Sequence, residues 1–91
     1  MREASVRIIN PLGLHARAAA KLVRVAASFQ SRITLTESKC ELTADAKSIF
    51  SVLTLSASIG TVVFIKAEGE DASEAVAAVS QLFANGFGEL Q

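Results

Sequence analysis

The spacing of polar and apolar residues changes several times along this chain, and each change marks an element. Val6 and Ile8 alternate with polar neighbours before Asn10-Pro11-Leu12-Gly13. Proline fixes one backbone angle and glycine permits unusual ones, so a strand over Arg2–Ile9 ends in a turn. From Ala16 to Phe29 the polar residues Arg17, Lys21, Arg24 and Ser28 recur at steps of four, three and four, leaving Ala19, Leu22, Ala26 and Phe29 on another face. That is the spacing of an amphipathic helix. Ile33 and Leu35 then alternate with Arg32, Thr34 and Thr36, the period of a half-buried strand over Arg32–Glu37. Glu37-Ser38-Lys39 reads as a turn into a partner strand over Cys40–Thr43.

Ala46–Ala57 fits a short helix or a buried strand by period alone, and a short helix is taken. In Thr61–Glu68, Val63, Ile65 and Ala67 lie opposite Lys66 and Glu68, while Val62 and Phe64 share the polar side. Either that side is partly covered or Phe64 is exposed. Asp71 followed by Glu74 has the spacing of a helix cap, and Ala75, Val76, Val79, Leu82 and Phe83 supply an apolar stripe before Gly86. The expected order is β-α-β-β-α-β-α, an α+β fold with helices on one face of a mainly antiparallel four-stranded sheet.

Ninety-one residues make one domain, 1–91. With 51% hydrophobic and 20% charged residues, a packed globule is expected rather than a disordered chain. Nine basic and nine acidic residues cancel, which removes the overall positive field of sequence-independent nucleic-acid binding. The distribution is uneven: Arg2, Arg7, Arg17, Lys21, Arg24 and Arg32 face only Glu3 before Glu37, so one surface region is locally basic. Cys40 is the only cysteine, which excludes an internal disulfide and favours a buried or bystander thiol. No closely spaced Cys and His ligands suggest a metal, no cofactor is implied, and no apolar run is long enough to insert in a membrane. The expected compartment is the cytoplasm.

Candidate chemistry centres on His15, the sole histidine, at a strand-to-helix junction. The first turn of a helix exposes unpaired N–H groups, here those of Ala16 and Arg17, which can hold phosphoryl oxygens beside the positive dipole end. Imidazole titrates near pH ~6.5, so much of it is neutral and nucleophilic at cytoplasmic pH. Arg17 adds a planar fork that matches phosphate oxygens, which a lysine would reproduce poorly. Chemistry alone leaves a second reading open, in which His15 caps the helix and Arg17 is an ordinary solvated charge.

Asn10-Pro-Leu-Gly-Leu-His15-Ala-Arg17-Ala-Ala-Ala resembles the active-site segment of HPr proteins, whose Gly-Leu-His-Ala-Arg-Pro-Ala type of motif carries a phosphorylated histidine and its arginine. Lys47-Ser48-Ile49-Phe50-Ser51-Val52-Leu53 resembles the second signature of that family, and Gly60-Thr61 through Gly69 fits its last strand, so the likeness covers almost the whole chain. Ala18 departs from the usual proline, a change worth about 0.4–1 kcal/mol in stability.

The resemblance implies an open-faced β-sandwich and a cytoplasmic phosphocarrier of the bacterial phosphotransferase system. Enzyme I is the implied donor, enzyme IIA domains are the acceptors, and the phosphoryl group rides on the δ nitrogen of His15. A stoichiometric carrier needs no substrate pocket of its own, and none of the residue sets of a turnover enzyme is found. Ser48 matches a serine that an ATP-dependent HPr kinase phosphorylates in some family members; a plain serine helix cap explains it equally well. Leu14, Ile49, Phe50 and Leu53, rimmed by Arg17, Lys21, Arg24 and Lys47, form an expected docking patch for transient partners of a monomer, although core packing and a solvated helix face account for them too. Gln81-Leu-Phe-Ala-Asn-Gly-Phe-Gly-Glu89 resembles the tail of the nitrogen-branch paralogue, so sugar uptake has a regulatory rival. An adaptor phosphorylated only at Ser48 and binding a transcription regulator is the remaining alternative, and the presence of His15 and Arg17 argues against it.

Overall fold

The chain runs β1 (Arg2–Arg7), α1 (Ala16–Ala27), β2 (Arg32–Glu37), β3 (Thr43–Asp45), α2 (Ile49–Leu53), β4 (Val62–Glu68) and α3 (Ala72–Ala84), then a 3-10 turn over Gly86–Gly88. The structure is a computed structural model that describes residues 1–90. The strands form one antiparallel sheet in the order β1-β4-β2-β3.

Register converts alternation into a core. Val6 lies opposite Val63, and Leu35 opposite Ile65, so their side chains share one face of the sheet. Helix α1 lays Ala18, Ala19, Leu22 and Ala26 against that side, and α3 lays Ala75, Val79 and Phe83 there. Ile33, Leu35, Val63 and Ile65 are wholly buried as a result. Each fully buried aliphatic or phenyl side chain contributes about 1.5–3 kcal/mol. The other face is left open, and the Phe64 ring stands exposed on it. Among the described residues, no helix is long and apolar enough to cross a membrane.

Several boundaries differ from the sequence expectation for local reasons. Strand β1 ends at Arg7, although the Ile8 N–H still donates to the Thr61 carbonyl at 2.9 Å. Helix α1 stops at Ala27 because the Ser28 and Phe29 N–H groups turn back to the Val25 and Ala26 carbonyls, tightening the last turn. The partner strand expected over Cys40–Thr43 begins only at Thr43. Glu37 is the cause: its carboxylate accepts the Lys39 and Cys40 N–H groups at 2.6 and 2.9 Å, which holds those residues in a turn and leaves Cys40 exposed. Asp71 precedes α3 but does not cap it. Its carboxylate instead accepts from the Gln30 and Ser31 N–H groups and the Ser31 hydroxyl, tying α3 to the start of β2.

Candidate functional site

The loop before α1 is fixed from beneath by Asn10. Its side chain is fully buried, and Nδ2 donates to the Gly13 carbonyl at 2.9 Å. Gly13 adopts φ +64°, and a Cβ there would sit 2.4 Å from the Ala57 carbonyl oxygen, so glycine is required by both conformation and space. The Leu14 N–H donates to that same carbonyl at 3.0 Å. Leu14 itself is 4% exposed and belongs to the core, which removes it from the expected docking patch: the loop must bury one anchor to hold its neighbour still.

His15 follows as the N-cap of α1, with extended backbone angles, and its carbonyl accepts the Ala19 N–H at 2.8 Å. Its imidazole is free of the capping role left open by the sequence, because it makes no side-chain cap bond. Among the described residues, nothing accepts the N–H groups of Ala16 and Arg17, as a helix start requires. These donors and the helix dipole make the surroundings of His15 receptive to an anion.

A carboxylate that the sequence reading missed completes the cluster. Glu89 Oε2 lies 2.5 Å from His15 Nε2 and 3.4 Å from Arg17 Nε, while Oε1 accepts from Asn10 Nδ2 at 2.9 Å. The Asn10 amide above all, then the His15 and Arg17 contacts, hold the Glu89 carboxyl below the usual carboxylate range against the opposing effect of partial burial. An ionised carboxylate only accepts hydrogen bonds, so in a hydrogen bond at this contact Nε2 is the donor. Side chains of His15 and Glu89 are 23% and 11% exposed, whereas Arg17 is 66% exposed.

The tail that delivers Glu89 is built from left-handed backbone. Gly86, Phe87 and Gly88 have φ of 58°, 57° and 74°, and a bulky residue in that region is unusual. Burial holds it there. Phe87 packs edge-on against Phe83 with ring centres 4.9 Å apart, and Lys21 Nζ donates to the Phe87 carbonyl at 2.7 Å. A glycine-flanked aromatic followed by an acid was the one local signal that could have revealed this.

The other expected positions lie on α1 and α2. Ser48 caps α2, its hydroxyl accepting the Ser51 N–H at 3.3 Å. Phe50 projects into solvent at 79% exposure, and Ile49 and Leu53 are half-buried against the core. Arg24 is exposed, but the ammonium groups of Lys21 and Lys47 are engaged by the Phe87 and Phe29 carbonyls. Those two lysines therefore brace the fold as well as charge the surface.

Residues 2–85 match the family model described as the PTS HPr component phosphorylation site. The chain belongs to the HPr family, the phosphocarriers of the phosphotransferase system. It is 47% identical to a phosphocarrier protein HPr of Xylella fastidiosa strain Temecula1 over 98% of each chain, and 44% identical to one of Cupriavidus necator over the same share. The crystal structure of HPr-C-His from Thermoanaerobacter tengcongensis superposes with a TM-score of 0.92 at 41% identity and full coverage of both chains. The open-faced α+β sandwich is thus the HPr fold. His15 and Arg17 fall inside the matched segment, and Glu89 falls beyond it. Ala18, in place of the usual HPr proline, is wholly buried in the first turn of α1.

Proposed function

We propose that this protein accepts a phosphoryl group from enzyme I on His15 Nδ1 and passes it to enzyme IIA domains during phosphotransferase-system sugar uptake. The observation that carries the reading is the Glu89 carboxylate 2.5 Å from Nε2 of His15, the N-cap residue of α1; with Nε2 so engaged, the other ring nitrogen is the nucleophile in this reading. The Nδ1 lone pair bonds phosphorus as the donor's bond to phosphorus breaks, and that electron pair stays with the donor. The exposed Arg17 guanidinium and the Ala16 and Arg17 N–H groups take the phosphoryl oxygens, where charge accumulates. The protein then acts once per phosphoryl group, as a carrier and not as a turnover enzyme.

Docking falls to exposed Phe50 with half-buried Ile49 and Leu53, and to the exposed charges of Arg17 and Arg24. A small apolar centre with a charged rim suits brief, salt-sensitive complexes of a cytoplasmic monomer. Ser48 is a regulatory site in this reading: a phosphate on the cap of α2 favours the helix dipole and repels an acidic partner. The likeness of the Gln81–Glu89 tail to the nitrogen-branch paralogue supports a second reading, in which the same chemistry serves a regulatory relay.

The test is a relay assay with labelled phosphoenolpyruvate, enzyme I, this protein, and a IIA domain from either branch. Label reaching one IIA domain only when this protein is present supports the carrier reading and names the branch. Label that stays on enzyme I contradicts it.

A further inference from the structure

We propose that Glu89, clipped by Asn10, is a positioning residue for His15: it keeps the proton on Nε2, leaves the lone pair on Nδ1, and stabilises the positive charge the ring acquires on phosphorylation. The inference rests on the carrier reading above and adds a residue outside the segment that matches the family model.

A neutral imidazole can carry its proton on either nitrogen, and the partner of one nitrogen decides which. Oε2 of Glu89 is that partner, and Oε1 is fixed in turn by the Asn10 amide. Asn10 cannot rotate away, because the same Nδ2 also donates to the Gly13 carbonyl. This orientation leaves Asn10 Oδ1 buried with no hydrogen-bond partner among the described residues, an arrangement that packing alone would not favour. The left-handed Phe87 is a second unfavourable feature whose effect is to bring the Glu89 carboxylate to the imidazole.

Charge balance gives the carboxylate a role in the transfer itself. Nδ1 attacks as a neutral nitrogen and no proton leaves Nε2, so the ring becomes cationic as the nitrogen–phosphorus bond forms. A carboxylate already seated at Nε2 interacts more strongly with that cation than with the neutral ring, as the aspartate of a catalytic triad does. When the phosphoryl group moves on, the electron pair returns to Nδ1 and the ring is neutral again.

The experiment compares wild type, Glu89→Ala and Glu89→Gln by long-range nitrogen–proton NMR of the His15 ring and by the rate of phosphoryl transfer from enzyme I. In wild type the neutral ring should be the Nε2–H tautomer. Alanine should leave a mixture. Glutamine should favour the Nδ1–H form, since keeping the Asn10 bond turns its amino group toward Nε2. Transfer should slow by about 10- to 100-fold with little change in the half-saturating concentration, less than in a triad because no proton moves here. Should alanine loosen the tail, visible in amide spectra, the nearly isosteric glutamine carries the test. An unchanged tautomer in both variants overturns the proposal, as does a changed tautomer with an unchanged rate. A wild-type chain that takes no phosphoryl group refutes the carrier reading instead, and the tautomer comparison still decides the positioning.

Discussion

His15 Nε2 and Glu89 Oε2 lie 2.5 Å apart although 74 positions separate the two residues in the chain. The contact joins the start of α1 to the tail after α3, so site geometry depends on the packing of the whole helical layer. Perturbing either end should therefore be felt at the imidazole.

Gly13→Ala tests the loop end. A left-handed non-glycine residue costs roughly 1–2 kcal/mol, and the new methyl would meet the Ala57 oxygen at 2.4 Å. Urea denaturation should show a loss of at least about 2 kcal/mol, with slower phosphoryl acceptance in the protein that remains folded. A neutral change would show that the loop can shift without affecting the core.

At the tail end, Phe87→Ala removes a ring that is 1% exposed and packed on Phe83. Truncating such a phenylalanine costs about 3–5 kcal/mol when the surroundings do not collapse. The expected result is a loss near the lower bound, because a terminal segment relaxes easily, together with loss of the Glu89 contact in the His15 NMR spectrum. A stability loss that leaves the His15 spectrum intact would break the proposed link between Phe87 and the site.

Acid should weaken the fold through three carboxylates. The Ser31 hydroxyl and the Gln30 N–H hold Asp71 below its ordinary value, the Cys40 and Lys39 N–H groups do the same for Glu37, and the Asn10 amide does so for Glu89. A lowered folded-state value contributes stability that is present above the unfolded value, about pH 4, and is lost as pH falls through the folded one. Thermal melts should be flat from about pH 7 to 5 on this account and drop below about pH 4. Asp71→Asn should start lower and fall less steeply over the acid range. An equally steep fall would remove Asp71 from the explanation.

Phe50→Ala separates docking from folding. With the ring 79% exposed, stability should change by no more than about 0.5 kcal/mol. Affinity for enzyme I, followed by NMR titration, should fall about 10-fold if this ring anchors the patch. Unaltered affinity would move the docking surface elsewhere.

Much of this was legible in the chain because it is local. The alternation of Ile33 with Leu35, and of Val63, Ile65 and Ala67, predicts the buried face of the sheet, and the spacing of Arg17 and Arg24 predicts the solvent face of α1, from which half-buried Lys21 turns to the Phe87 carbonyl. Side chains that reach back to their own backbone hid the rest. Glu37 holds Lys39 and Cys40 out of β3, and Asp71 gives up its cap to bind Ser31 from 40 positions away. Beyond the glycine-flanked Phe87, nothing local marks Glu89 as a site residue, because its partners are distant in sequence and its approach depends on three consecutive left-handed residues. No hydrophobic period encodes such a turn.

The most direct measurement is a phosphorus NMR spectrum of the protein after incubation with enzyme I and phosphoenolpyruvate, beside His15→Ala. The account predicts one acid-labile phosphohistidine signal, bonded at Nδ1 and absent from the variant. A folded wild-type protein that gives no such signal with a competent donor, or a signal that survives in His15→Ala, would contradict it.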